Sequence, residues 1–226
     1  MTQTPDTVVH LLRHGEVHNP DGVLYGRRDG FHLSELGQQM AEKVAATIKD
    51  RDIVHLVSSP LERAQETAAP LALARGLEVT LDERIIESTN KFEGLTFGKG
   101  RNALKNPATW RHLYNPFKPS WGEPYKLLAA RMLEAVHDAR VAAAGHEAVL
   151  VSHQLPIWTT RLQVEKRSFL HDPRKRQCTL CSLTSFHFVG ERITQVSYSE
   201  PAGDLIPVAD KNAPFSAGNA PEDKRP

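Results

Sequence analysis

From Thr7 to about Glu200 the chain alternates short apolar runs with longer stretches of helical period. Val8-Val9-His10-Leu11-Leu12 reads as a buried strand, because it is short, apolar and stopped by Gly15. Leu36, Met40, Val44 and Ile48 recur every four residues and predict one face of a helix. Ile53–Val57 is a second strand that runs into Ser59-Pro60-Leu61-Glu62. There Ser59 reads as a helix cap, Pro60 as the first helical position and Glu62 as the closing member of a capping box, with Gly76 as the stop. Leu77–Leu81 is a weaker third strand. Residues 99–121 are irregular, rich in Pro, Asn and Trp, and hold no period. Leu128, Met132, Leu133 and Val136 mark another helix, and Ala148–Val151 a fourth strand. Cys178–Phe188 and Arg192–Tyr198 alternate on either side of Gly190-Glu191 and predict a closing hairpin.

Strands alternating with helices imply a three-layer α/β/α sandwich on a mainly parallel central sheet. Residues 1–208 form the expected single domain, with a small helical or irregular cap inserted at about 99–126. From Ala209 to Pro226 the composition is Pro, Ala, Asn and charge without period, which predicts a disordered tail. The 226 residues are 40% hydrophobic and 24% charged, enough apolar material for a core. The formal charge of +1 argues against general binding to nucleic acid or a membrane surface. Two cysteines cannot build a disulfide scaffold, no apolar run approaches a membrane span, and the first residues do not read as a signal peptide. The expected setting is cytoplasmic.

In such sheets ligands sit beyond the carboxyl ends of the strands, so the residues just past those ends carry the functional question. Arg13 and His14 follow the first strand, Ser58-Ser59 and Arg63 the second, Glu87 the third, and Ser152-His153-Gln154 the fourth. Two arginines, two histidines and a carboxylate would share one crevice. Arginine forks match phosphate oxygens, and helix amino ends favour an anion. A neutral imidazole is a competent nucleophile, and a carboxylic acid held protonated can serve a leaving group. The pattern therefore reads as a phosphoryl pocket with imidazoles as the reacting groups.

Several motifs in order strengthen that reading. They are Leu12-Arg13-His14-Gly15-Glu16, Gly26-Arg27-Arg28-Asp29, Leu33–Gln39, Ser58–Ala68, Glu87 with Phe92–Thr96, and Val151-Ser152-His153. Together they resemble the histidine phosphatase superfamily, in its phosphoglycerate mutase-like branch, over about residues 7–200. The resemblance implies that His14 is the nucleophile that becomes phosphohistidine and that Arg13 and Arg63 bind the phosphoryl group. It implies that His153 stabilises the transition state, and that Glu87 is the proton donor in preference to Glu83 or Glu93. Asn19, Tyr25, Gly26 and Gln154 become substrate-binding candidates, and no metal or cofactor is called for. Four departures stand out. Asn19 lies five residues after His14 rather than six, Val17 replaces a common Thr or Ser, Gln154 replaces the usual Gly after His153, and the spacing between Glu87 and Gly94 differs slightly from the usual form.

Weaker signals have plainer readings. His14 and His18 have metal spacing only if helical, which Gly15 opposes. Cys178-Thr179-Leu180-Cys181 would point to opposite faces of a strand, and Gly94–Gly100 is one residue short of a phosphate loop. Arg174-Lys175-Arg176 reads as a solvated loop, with assistance to an anionic substrate as the alternative. Trp110, Tyr114, Phe117, Trp121 and Tyr125 would pack the cap or line a pocket, and Glu123 would favour a helix dipole. The expected activity is hydrolysis of small phosphomonoesters by a metal-independent enzyme. A cofactor-dependent phosphoglycerate mutase and a non-catalytic phospho-ligand module are the alternatives. The resemblance implies a longer, more basic insertion in mutases, so the short stretch between Glu87 and His153, which offers Lys99, Arg101, Lys105, Arg111, Lys118 and Lys126 without the mutase-type basic pattern, favours hydrolysis. The expected partner is a small phosphorylated substrate, and a homodimer is left open.

Overall fold

The structure, a computed structural model, describes residues 6–98, 101–102, 122–172 and 175–206. Its strands are β1 (Thr7–Arg13), β2 (Ile53–Ser58), β3 (Val79–Leu81), β4 (Phe97–Gly98), β5 (Arg101–Asn102), β6 (Glu147–Ser152), β7 (Leu183–Val189) and β8 (Arg192–Ser199). Its helices are α1 (Glu35–Ile48), α2 (Glu62–Arg75), α3 (Tyr125–Ala142) and α4 (Gln154–Val164). Six strands form the central sheet in the order β3-β2-β6-β1-β7-β8, while β4 and β5 pair separately. The β3–β2, β2–β6 and β6–β1 pairs are parallel, and only β7 runs against its neighbours. The cap placed at about 99–126 falls mostly outside the described residues, and the tail at 209–226 wholly so.

Alternation along the buried strands divides the core into two layers. Leu12, Leu56, Val149 and Val151 pack with Met40, Val44 and Ile48 of α1 and Ala64, Ala68 and Leu71 of α2. Leu11, Val57, Ala148 and Leu150 face the other way, toward Met132, Val136 and Ala139 of α3 and Ile157 of α4. Both faces are covered, which is why these strands read as continuous apolar runs. Adjacent strands β1 and β6 lead to helices on opposite faces. The chain therefore diverges between them and opens a crevice at their carboxyl ends, where Arg13 lies opposite Ser152.

Two predicted boundaries move. Leu61, not Ser59, is the cap residue of α2, and it makes no side-chain cap bond. The residue before a proline favours extended backbone, so Ser59 is held out of the helix. Ser59 Oγ still accepts from Leu61 N–H, at 3.5 Å, and it also lies 2.8 Å from His153 Nε2. Glu62 accepts from the Gly30 amide at 2.9 Å instead of closing a capping box. Gly76 does end the helix, in the left-handed conformation at φ 64°. The hairpin begins at Leu183 rather than Cys178, because Thr179–Ser182 is a turn in which Cys181 has φ 53° and Ser182 N–H donates to the Thr179 carbonyl at 3.2 Å. The cysteines therefore do not alternate along a strand. Both are buried, and burial pushes their thiols up to about 11 for Cys178 and about 12 for Cys181.

The loop after β1 is seated on α1 through two glycines chosen for space. A Cβ on Gly37 would stand 2.0 Å from the Glu16 carbonyl oxygen, and one on Gly15 would stand 2.6 Å from the Gly37 carbonyl oxygen. Ser34 caps α1 by accepting from Gly37 N–H at 3.0 Å, while its hydroxyl donates to the buried Glu16 carboxylate. Gly37→Ala is expected to destabilise the fold by roughly 2–3 kcal/mol, the cost of overpacking against backbone that cannot retreat. Urea unfolding of the variant beside an exposed α1 control, Gln38→Ala, measures it. Equal midpoints would contradict the contact.

Candidate active site

His14 sits one residue beyond β1 and is pinned on both sides. Its N–H donates to Ser152 O at 3.1 Å, its carbonyl accepts from Cys181 N–H at 3.4 Å, and Gly15 N–H donates to Thr67 Oγ1 at 3.0 Å. The ring nitrogen Nδ1 lies 2.8 Å from the Gly15 carbonyl. A carbonyl only accepts, so the proton is on Nδ1 and the lone pair on Nε2. His153 caps α4 in extended conformation, and its ring centroid is 5.1 Å from that of His14. Its Nε2 lies 2.8 Å from Ser59 Oγ, and its buried Nδ1 has no hydrogen-bond partner among the described residues. The hydroxyl assigned by sequence to a helix cap is thus shared between the Leu61 N–H, at 3.5 Å, and an imidazole.

Two guanidiniums flank these rings. Arg13, buried at the end of β1, donates from Nη1 to Cys178 O at 2.8 Å. Arg63, in the first turn of α2, is 0% exposed. It donates from Nη2 to Gly26 O at 2.6 Å and stacks 4.6 Å from the centre of the Tyr25 ring. Its Nε and Nη1 have no hydrogen-bond partner among the described residues. Burial, then the charges of Arg63 and Arg13, hold the His14 imidazole well below the usual histidine range. Burial holds His153 there as well, helped by Arg63, His14 and Arg13. Both rings are therefore neutral at neutral pH. Tyr25 is buried, and burial pushes its phenol up.

Glu87 lies beyond β3, after the helical turn Glu83–Ile85. Burial pushes its carboxyl up, against the opposing pull of Ser88 N–H, Arg63 and Arg13. Ser88 N–H donates to Glu87 Oε1 at 2.8 Å. Glu93 accepts from Asn90 N–H at 3.0 Å, a loop-bracing position.

The substrate-binding candidates fare unevenly. Tyr25 and Gly26 adjoin Arg63 as described. Asn19 is buried with its amide engaged by Val23, donating to Val23 O at 2.9 Å and accepting from Val23 N–H at 3.0 Å, so it braces its own loop. Gln154 opens α4 and donates to Cys178 O at 3.3 Å, the carbonyl that Arg13 also reaches. His18 is exposed while His14 is buried, so their spacing does not bring them together. Among the described residues no three His, Cys, Asp or Glu side chains are grouped to hold a metal. Of the aromatic residues singled out, Trp110, Tyr114, Phe117 and Trp121 lie outside the described residues.

Sequence reasoning overlooked a clamp behind Glu87. Arg131 of α3 donates to Ile86 O at 2.8 Å and Glu87 O at 3.3 Å, and also to Arg84 O. Arg27 Nε donates to Glu87 O at 2.6 Å. Glu123 orients both arginines, meeting Arg131 Nε and Nη2 at 2.9 Å each and Arg27 Nη2 at 3.3 Å. Glu123 is thus an ion-pair partner rather than a residue placed for the helix dipole. The available signal was Arg131 set between Leu128 and Met132 on an apolar stripe. Arg176 is likewise turned inward, donating to His171 Nε2 at 2.8 Å and Gln154 Oε1 at 3.4 Å.

Chemically, the assembly offers a neutral nitrogen lone pair, fixed cations for a tetrahedral anion, and a carboxyl biased toward its protonated form. Comparison with known proteins agrees with this chemistry. The family model described as the histidine phosphatase superfamily (branch 1) matches residues 9–201. An uncharacterized protein of Mycobacterium tuberculosis strain H37Rv is 55% identical over 197 residues, covering 87% of this chain and 98% of that protein. A probable phosphoglycerate mutase of Escherichia fergusonii is 31% identical over 160 residues, covering 66% of this chain and 70% of that one. The solved structure of a mycobacterial glucosyl-3-phosphoglycerate phosphatase superposes with a TM-score of 0.64 at 25% identity, covering 86% of this chain and 96% of that chain.

The depressed imidazoles set a pH dependence of stability. The unfolded chain takes up protons on both rings near pH 6.5 while the folded chain resists them, so stability is held above that pH and lost below it. Between pH 7 and 5.5 the wild type should lose about 1 kcal/mol per histidine more than the double variant His14→Gln/His153→Gln. Denaturant titrations at the two pH values test this, and parallel losses would refute it.

Proposed function

The chain belongs to the histidine phosphatase superfamily, and on that premise we propose that it hydrolyses small phosphomonoesters through a phosphohistidine at His14, without a metal. The observation that supports this most is the state of His14. Its Nδ1 proton is committed to Gly15 O, so the Nε2 lone pair is uncharged and available beside Arg13 and Arg63. In the first step Nε2 attacks phosphorus and the ester P–O bond breaks. The Glu87 carboxyl gives its proton to the departing alkoxide. Arg13 and Arg63 hold the equatorial oxygens, with charge in place before the reaction begins. The Ser59 hydroxyl, donating to His153 Nε2, would leave the proton on Nδ1, which then donates to the same oxygens. Water next attacks phosphorus and breaks the N–P bond. Glu87, now a carboxylate, takes the water's proton, and inorganic phosphate leaves.

The relationship to a probable phosphoglycerate mutase supports a second reading, in which the phosphoryl group returns to a sugar acid. The two readings part at the second step, since a mutase must protect the phosphohistidine from water. Incubation with 3-phosphoglycerate and a trace of bisphosphoglycerate separates them. Free phosphate should outpace 2-phosphoglycerate, and the reverse would overturn the hydrolytic reading. A binding module that does no chemistry would show no turnover at all.

With p-nitrophenyl phosphate, His14→Ala should lose at least roughly a thousandfold in kcat, chelator should change nothing, and vanadate should inhibit. Quenched enzyme should carry phosphate that survives alkali, is released by acid, and maps to His14. Glu87→Gln should cost on the order of 10²–10⁴-fold on alkyl phosphates and much less on p-nitrophenyl phosphate, whose leaving group needs no proton. Because the Glu87 carboxyl is raised and works protonated, kcat/KM for alkyl phosphates should fall as pH rises through its folded-state pKa. A rate still climbing past about pH 9 would remove Glu87 from that role.

A further inference from the structure

Arg176 has no place in the phosphoryl chemistry, yet the fold turns it inward and fixes its orientation. It stands between α4 and β7, on a basic run that reads from sequence as solvated surface. Both of its bonds are to neutral acceptors. Nε donates to His171 Nε2 at 2.8 Å, and Nη1 donates to Gln154 Oε1 at 3.4 Å. His171 is prepared for that task, since its Nδ1–H donates to Phe169 O at 2.7 Å and leaves the Nε2 lone pair to accept. Burial keeps this ring below the usual histidine range and so in the accepting form. Its position is set by aromatic neighbours, Tyr125 at 6.2 Å and Trp158 at 5.8 Å between ring centres. No carboxylate forms an ion pair with Arg176 among the described residues, in contrast to Arg51, Arg84, Arg131, Arg161 and Arg167.

The same side chain is wired to the reacting centre. Gln154 accepts from Arg176 through Oε1 and donates through Nε2 to Cys178 O, which also receives Arg13 Nη1. One amide and one carbonyl therefore separate Arg176 from the arginine that flanks His14. Its field reaches Glu87, Tyr125 and Arg13. A guanidinium desolvated without a counter-ion, yet held in register by two neutral partners, is organised to meet an anion that comes from outside the chain.

We propose that Arg176, oriented by His171 and Gln154, binds a second anionic group on the substrate, a carboxylate or a second phosphate, on the far side of the ester from the reacting phosphoryl group. The inference rests on the phosphatase reading and narrows it to phosphomonoesters that carry another negative charge. It also gives Gln154 a specific job. The side chain that replaces the usual glycine after His153 is a positioning residue for the guanidinium.

Matched esters test this. The carboxylate pair is 3-phosphoglycerate against glycerol 3-phosphate, and the phosphate pair is glucose 1,6-bisphosphate against glucose 6-phosphate. The wild type should favour the doubly anionic member of at least one pair by tenfold or more in kcat/KM, and the responding pair identifies the anion. Arg176→Gln should bring that ratio to within about threefold of unity, and Arg176→Lys should leave it in between, because charge remains but the fork is lost. The ratio, rather than the absolute rate, separates lost recognition from general damage. Wild-type enzyme with no preference in either pair overturns the proposal whether or not a variant folds. So does a preference that survives in Arg176→Gln. Absence of His14-dependent turnover of p-nitrophenyl phosphate would instead overturn the phosphatase reading on which the proposal stands.

Discussion

The structure depends on placing two fixed positive charges against two imidazoles in a space where all four side chains are buried. Arg63 is wholly buried, and Arg13 nearly so, and both flank His14 and His153. Burial alone would disfavour charged histidine, and the neighbouring guanidiniums disfavour it further. Both rings are thereby kept as neutral bases while the surrounding potential stays strongly positive. An anion placed beside these rings would meet attraction and an uncharged nitrogen lone pair together, and neither would have to reorganise for the other to act.

The scaffold holds that arrangement with backbone rather than with side-chain reach. Arg13 and Ser152 end adjacent parallel strands, and His14 and His153 follow them directly. The carboxyl ends of β1 and β6 thus fix the spacing of the rings to within the stiffness of a sheet. Arg63 comes from a helix start, and Glu87 from the segment beyond the sheet edge. These more distant contributors are the ones that carry extra bracing, Arg63 through Gly26 and Tyr25, and Glu87 through Arg27 and Arg131.

Much of this was legible in the residues. The strands β1, β2 and β6 are continuous apolar runs, and Arg13, His14 and His153 stand at or just past strand ends, where an α/β sheet exposes its loops. Less legible were the places where a local rule competes with a distant partner. Ser59 has every local qualification for a helix cap and does meet the Leu61 N–H, but its closer partner is His153, ninety-four residues away. Glu123 suits a helix start, yet two arginines claim it. Arg176 sits in a run of three basic residues that suggests solvent, and only the folded positions of His171 and Gln154 turn it inward. Asn19 differs in kind. Its spacing from His14 was already irregular, and its amide closes a loop with Val23.

The Glu123 ion pairs make the carboxyl side of the pocket answer to a remote part of the chain. Glu123 immediately precedes α3 and follows the segment that sequence marks as an insertion. A change in that insertion's length that tugged on Glu123 would rotate Arg27 and Arg131, and these would carry the displacement to the Glu87 backbone. A strain applied at Glu123 is therefore transmitted through two guanidiniums to the backbone that carries a buried carboxyl, with no substitution at Glu87 itself.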